Sequence, residues 1–134
     1  MERCTYITIG EKTYPMRMTL LAREEIHKKY GSINGMLDTF KKESTCVSAY
    51  LDVAHLLIVQ GCEYKNVFEK DIPQSKDAPI ENGKYVPLSR EELGLGMDGR
   101  DVSELVSKIS EASGLSKANE IRGTSVVKKN EETE

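Results

Sequence analysis

The amino-acid sequence predicts an α+β fold that is mostly α-helical, with an N-terminal β-hairpin, about four to five short helices and a disordered C-terminal tail. Apolar and polar residues alternate on both sides of Gly10, as in a hairpin. From residue 19 onward apolar residues recur every three or four positions, as on one face of a helix. We expect a single helical domain at 1–114 and a flexible polar tail at 115–134.

The hairpin is predicted to turn at Gly10. A glycine at the first central position suits a two-residue type II′ turn, and this turn sets Ile7 opposite Tyr14. Pro15 then falls opposite Tyr6, where the paired residues exchange no hydrogen bonds, so its missing N–H does not weaken the hairpin. Side chains alternate between the two faces of a strand. The apolar face of the hairpin is therefore predicted to consist of Ile7, Ile9, Tyr14 and Met16.

Three helices are predicted to follow the hairpin. Each begins at a serine or threonine that suits an N-cap, and Gly31 suits the end of the first. The third carries the widest apolar stripe and is the expected central helix of the core. The predicted helices run from Thr19 to about Tyr30, from Ser32 to Lys42 and from Ser44 to about Gly61.

The second half of the chain begins with a segment that has no apolar period. Residues 69–86 contain two prolines and scattered charges, which predicts an exposed connection. Ser89 and Glu92 then have the spacing of a capping box, in which each side chain bonds the backbone N–H of the other. A last helix is predicted over 98–113, with Gly114 as its stop.

Charge and composition restrict the class of protein. The net charge is -3, and residues 43–134 hold eleven basic and seventeen acidic residues, so we expect no nucleic-acid partner. The longest apolar stretch is far shorter than the roughly 20 residues of a membrane span, so we expect no membrane partner. The start of the chain lacks an apolar signal core, and the odd number of cysteines fits a reducing compartment. These features predict a cytoplasmic protein.

Candidate catalytic and metal-binding residues are few. His27 lies among charged residues, while His55 lies beside the apolar stripe of the third helix. Cys46 is nine residues from His55, more than two helical turns away, so the two cannot form a catalytic pair. Cys46, His55 and Cys62 also lack the close paired spacing of a zinc site. We therefore expect a non-enzymatic protein without cofactor or metal.

Three stretches resemble a known family. The hairpin Ile7-Thr8-Ile9-Gly10-Glu11-Lys12-Thr13-Tyr14 leads into a helix that ends at Lys29-Tyr30-Gly31. The later stretches are Leu56-Leu57-Ile58-Val59-Gln60-Gly61 and Pro87-Leu88-Ser89-Arg90-Glu91-Glu92-Leu93. Over residues 5–113 the chain resembles the tail assembly chaperones of long-tailed, siphovirus-type phages and prophages of Gram-positive bacteria.

The resemblance implies a non-enzymatic protein of phage tail assembly. Such a chaperone binds the tape-measure protein in the host bacterial cytoplasm while tail-tube subunits polymerise around it, and it is absent from the mature virion. The implied partners are thus the tape-measure protein and the tail-tube protein, and a small chaperone that self-associates can cover a long client. The family has no catalytic residues to carry over.

A docking surface for such a client is expected on the ordered body of the domain. Methionine offers adaptable contacts to a varied helical partner, and several methionines fall in the hairpin and the first two helices. The alternative is that the same residues form the core between hairpin and helices. The candidate partner-binding residues are Tyr14, Met16, Met18, Ile33, Met36 and Phe40.

A second functional hypothesis comes from another class of protein. Residues 88–113 contain a short capped helix followed by a longer one, as in a helix-turn-helix. The alternative function is therefore a small phage regulatory or DNA-associated protein that uses this segment. A tape-measure gene just downstream of the coding sequence favours the chaperone, and a regulatory gene cluster favours the alternative.

Overall fold

A computed structural model describes residues 3–115, and it has the predicted mostly helical α+β fold. Of the flexible tail predicted at 115–134, Leu115 packs against the core, and residues 116–134 lie outside the described residues. Two antiparallel hairpins and five α-helices follow one another along the described chain. The strands are β1 (Thr5–Ile9), β2 (Lys12–Met16), β3 (Ile80–Glu81) and β4 (Lys84–Tyr85), and the helices are α1 (Leu20–Tyr30), α2 (Ile33–Lys41), α3 (Cys46–Phe68), α4 (Arg90–Gly96) and α5 (Val102–Ser113).

The first hairpin has the predicted register. Ile7 pairs with Tyr14 and Tyr6 pairs with Pro15. Gly10 has a φ of 64°, which a residue with a side chain adopts only with strain. The predicted apolar face is confirmed, because Ile7, Ile9, Tyr14 and Met16 are all buried.

Helix α3 is the centre of the fold, and it is longer than predicted. It continues through Gly61 to Phe68 instead of ending near Gly61. A Cβ atom on Gly61 would lie 2.3 Å from the carbonyl oxygen of Pro15, so glycine is needed for β2 to lie directly against the helix. The backbone N–H of Arg17, just beyond the strand, donates to the carbonyl oxygen of Leu57 at 3.0 Å. The glycine thus marks a close contact between two backbones, and not a helix end.

The helix caps largely follow the prediction. Thr19 and Ser32 accept hydrogen bonds from the backbone N–H groups of Ala22 and Gly35, and Gly31 ends α1 with a φ of 84°. The capping box of α4 is complete, with both of its hydrogen bonds formed. Two starts differ from the prediction. Helix α3 begins after Thr45, which makes no side-chain capping bond, and a short 3₁₀ turn at Gly99–Asp101 precedes α5.

The segment at 69–86 is more ordered than predicted, because it contains the hairpin of β3 and β4. Asn66 of α3 holds this hairpin in place: its side-chain amide donates to the Tyr85 carbonyl at 3.0 Å and accepts from the Tyr85 N–H at 2.8 Å. Before the hairpin, the Asp77 carbonyl accepts from the Thr13 N–H at 2.9 Å, and the side chain of Ala78 is buried. These partners are distant in sequence, so local patterns do not reveal them.

Lys65 is the buried charged side chain of the described residues. Its ammonium group donates to Glu69 Oε1 at 2.7 Å and lies 5.2 Å from the centre of the Tyr6 ring. Burial opposes its charge, but the hydrogen bonds to Glu69 and Tyr6 outweigh this effect and raise the pKa of Lys65. Lys65 therefore stays charged at neutral pH and ties the end of α3 to β1.

Asp52 of α3 joins three helices. Its carboxylate accepts hydrogen bonds from Lys29 Nζ of α1 and from Arg90 Nε of α4, each at 2.5 Å. Arg90 also donates to the hydroxyl of Ser48 at 3.2 Å. Burial opposes the charge of Asp52, but the bonds from Lys29 and Arg90 lower its pKa below the ordinary value. The carboxylate thus links α1 and α4 to the central helix.

Replacing Asp52 with asparagine is expected to lower the stability of the fold by about 1 kcal/mol at pH 7, because the variant loses a network of two ion pairs. A carboxyl group with a lowered pKa stabilises the fold above its unfolded value of about 3.9, and this contribution disappears as pH falls through the folded value. Thermal unfolding at pH 7 and at about pH 2.5 measures the effect. An equal difference between wild type and variant at both pH values would contradict this explanation.

Candidate protein-binding surface

The structure places the candidate partner-binding residues in or against the core. Met16 and Met36 are completely buried and Tyr14 is 9% exposed. Met18, Ile33 and Phe40 are partly buried and pack against the same cluster. The six residues therefore lie together, but as the core between hairpin and helices. The expectation that they form an exposed docking surface is corrected, for a physical reason: the hairpin packs against α3 and α5, and α2 packs against α1 and α3, so these apolar faces are covered.

Exposed apolar side chains lie elsewhere, where the start of α1 meets the end of α3. Leu20 is 84% exposed and Phe68 is 73% exposed, and Leu21 and Val67 are exposed beside them. Together with Tyr64 these residues line a groove of about 290 Å³, which we name the α1–α3 groove. Large apolar side chains clustered on a surface are typical of interaction sites, so this groove is a candidate binding surface.

Local sequence explains why the first turn of α1 faces outward. Thr19 fixes the start of the helix, and the buried stripe consists of Ala22 and Ile26. Leu20 and Leu21 lie two positions and one position before Ala22. Neither spacing falls on the buried stripe of the helix, so both side chains face solvent. Thr19 also bonds the side chain of Gln60 on α3, which fixes the two walls of the groove relative to each other.

The aromatic wall of the α1–α3 groove consists of Tyr64 and Phe68, and Arg17 contacts the ring of Tyr64. The guanidinium of Arg17 lies 4.2 Å from the centre of the Tyr64 ring and donates to the carbonyl oxygen of Arg3. The rings of Tyr64 and Phe68, one helical turn apart, have centres 5.4 Å from each other. A rigid aromatic surface loses little conformational entropy on binding, so this wall suits an apolar partner.

A second apolar surface lies near the other end of α3. Val47, Leu51, Met97, Val102 and Leu105 line a groove of about 240 Å³ between α3, the end of α4 and α5, which we name the α3–α5 groove. The ring of Tyr50 borders it, and its hydroxyl donates to the Phe40 carbonyl at 3.3 Å. Both grooves expose mainly apolar surface, with Asp98 and Asp101 among the residues that line the α3–α5 groove and Glu63 among those that line the α1–α3 groove.

His55 and Cys62, considered above as candidate catalytic or metal-binding residues, lie in the interior contacts of the fold. His55 Nε2 forms a 3.1 Å hydrogen bond with the Leu88 carbonyl, which joins α3 to the start of α4. Burial raises the pKa of the Cys62 thiol to about 12, so this cysteine is protonated at neutral pH and is a poor nucleophile. Residues 3–115 contain no group of three His, Cys, Asp or Glu side chains placed to hold a metal ion.

The α1–α3 groove was missed from the sequence, although one signal points to it. Tyr64, Val67 and Phe68 are spaced three and four apart and continue the helical period beyond Gly61. Gly61 predicts a helix end, which leaves these three residues outside the predicted helix. Leu20 and Leu21 gave no signal, because a leucine after an N-cap is usual in a buried stripe as well.

Among the described residues, no helix has both the length and the apolar character that crossing a bilayer requires. Comparison of the chain with protein-family models, with curated proteins and with solved structures gave no match.

Proposed function

We propose that this protein is a non-enzymatic phage tail assembly chaperone. In this proposal it binds the tape-measure protein in the host bacterial cytoplasm and helps tail-tube subunits polymerise around it, and it is absent from the mature virion. The resemblance of residues 5–113 to that family motivates the proposal. The α1–α3 groove supports it, because a protein that acts by holding a client needs an accessible apolar surface on a rigid body.

The occupant we propose for the α1–α3 groove is an apolar helix of the tape-measure protein. A helix with an apolar stripe docks into a groove through side chains spaced three and four apart. Leu20 and Leu21 on one wall and Phe68 on the other provide exposed contact area on both sides of such a helix. The client docking site of the proposal is thus this groove, in place of the buried methionines.

The alternative regulatory function gains no support from charge. Residues 88–113 hold three basic and six acidic residues, a net charge of -3. A DNA-reading helix needs cationic side chains for the phosphates beside it. In addition, Leu105 and Ile109 of α5 are buried in the core. We therefore retain the chaperone as the proposed function.

Co-expression with the tape-measure protein encoded beside this chain tests the proposal. We expect the tape-measure protein, insoluble when expressed alone, to remain in the soluble fraction and to co-purify with the chain. A chain that neither binds nor solubilises that protein is not its chaperone. A coding sequence surrounded by regulatory genes, without a tape-measure gene, would also count against the proposal.

Replacing Phe68 with glutamate is expected to weaken binding of the tape-measure protein by about tenfold or more, because the variant places a charge at the aromatic wall of the groove. The side chain is 73% exposed, so the fold should persist, as circular dichroism can verify. Leu95→Glu is the matched control, since Leu95 is 80% exposed and lines neither groove. Equal binding by both variants would place the docking site elsewhere.

A further inference from the structure

The α3–α5 groove is an apolar surface that the proposed function does not use. Leu51 and Leu105 form its floor, and Val47 at its edge is 54% exposed. No side chain of the described residues fills its volume of about 240 Å³. Apolar surface of this kind is favourable to cover, so an occupant is expected.

The edge of the groove carries negative charge. Residues 98–104 contain three acidic residues and one basic residue, a net charge of -2. Arg100 pairs with Asp98 at 2.7 Å. Asp101 lines the groove, and Glu104 follows it one turn further along the chain. A ligand for this groove should therefore combine apolar groups with positive charge.

The chain itself contains such a ligand beyond the described residues. Residues 122–129 include three basic residues and no acidic one, and Val126-Val127 stands directly before Lys128-Lys129. Two adjacent valines followed by two lysines match an apolar floor with an acidic edge. Val126-Val127 is the one pair of consecutive apolar residues in 116–134, and two basic residues follow it directly.

The length of chain between Leu115 and Val126 matches the distance back to the α3–α5 groove. Leu115 packs against the core, so the segment that follows starts from a fixed point. From Ser113 back to Val102 along α5 the distance is about 17 Å at 1.5 Å per residue. The 11 residues from Leu115 to Val126 have a root-mean-square span of about 18 Å as a flexible chain. A tether whose span matches the required distance gives the highest effective concentration.

We propose that residues 126–129 dock within the same molecule into the α3–α5 groove. The two valines cover the apolar floor, and the two lysines lie at the acidic edge, beside Asp98 and Asp101. Two valines are too few to hold a separate partner, but a tethered segment needs little intrinsic affinity. This inference is independent of the proposed function, because it concerns the other groove.

Nuclear magnetic resonance of the full-length chain tests the proposal directly. We expect nuclear Overhauser effects between the methyl groups of Val126 or Val127 and those of Leu51 or Leu105. The double variant V126D/V127D should lose these cross peaks and shift the amide signals of the groove residues. K128E/K129E should weaken the same contacts, and added salt should weaken them in the wild-type chain.

Ala118→Asp serves as the matched control, because it adds a charge to the same tail outside the docking segment. We expect it to leave the groove signals unchanged. A mixture of differently labelled chains distinguishes contact within one molecule from contact between two molecules. Cross peaks between two molecules would show that the segment docks on a second copy, and this would overturn intramolecular docking. Absence of the cross peaks in the wild-type chain, or cross peaks to Leu20 and Phe68 instead, would also overturn the proposal.

Discussion

Replacing Leu57 with aspartate is expected to leave no soluble folded protein. Leu57 lies in the middle of α3 with no exposed surface, and its carbonyl oxygen accepts the Arg17 N–H that links the helix to the chain after β2. A carboxylate at this position would be buried within the apolar core cluster. An unpaired buried charge costs several kcal/mol, and the variant also loses the packing of the leucine side chain. The total stability of a domain this size is about 5–15 kcal/mol.

Expression and solubility, followed by circular dichroism of any soluble fraction, measure the effect of Leu57→Asp. Leu95→Asp is the matched control, because it makes the same chemical change at a leucine that is 80% exposed. This variant should remain folded and lose no more than about 1 kcal/mol. A cooperatively folded Leu57→Asp protein with wild-type thermal stability would contradict the packing of α3 described above.

The second large effect is expected from the smallest substitution, Gly61→Ala. Alanine favours a helix over glycine by about 1 kcal/mol, so on propensity alone the variant should be more stable. The added Cβ would lie 2.3 Å from the Pro15 carbonyl oxygen and 2.8 Å from the Met16 nitrogen. Both contacts are with backbone, which cannot rotate away, so β2 must move off the helix. We expect a net loss of about 2–3 kcal/mol.

Thermal unfolding of Gly61→Ala and Gly94→Ala compares the same change in two settings. A Cβ on Gly94, inside α4, would lie 3.5 Å from Leu51 Cδ1, an ordinary contact. We therefore expect Gly94→Ala to raise stability by about 0.5–1 kcal/mol. Gly61→Ala should lower the melting temperature by roughly 10 °C. Equal effects of the two substitutions would mean that helix propensity, and not contact with β2, decides at Gly61.

The two apolar grooves change where partners are expected on this protein. Methionines suggested a docking surface because their side chains adapt to varied contacts, but Met16 and Met36 are completely buried. Their adaptability serves the core, where Met16 of the hairpin and Met36 of α2 pack within one cluster. The exposed surface that we propose for a client is aromatic and leucine-rich, centred on Phe68 and Leu20. The Phe68→Glu and Leu95→Glu pair therefore tests function without disturbing the core.

The sequence by itself determined the local structure of this protein. Gly10 set the turn and register of the first hairpin, because a glycine at the first central position suits a two-residue turn between alternating strands. Thr19, Ser32 and Ser89 set helix starts, because their side chains satisfy backbone N–H groups within three residues. In each of these cases the deciding atoms are close together in the sequence. The fold class followed from such local elements.

Only the tertiary structure decided the length of α3, the hairpin at β3 and β4 and the position of the exposed apolar surfaces. Gly61 is a helix breaker by propensity, yet the helix passes through it because the packing of β2 outweighs about 1 kcal/mol. The β3–β4 hairpin depends on Asn66, about nineteen residues before its partner Tyr85. Whether Met16 or Phe68 faces solvent depends on which elements pack together, and no local pattern contains that information.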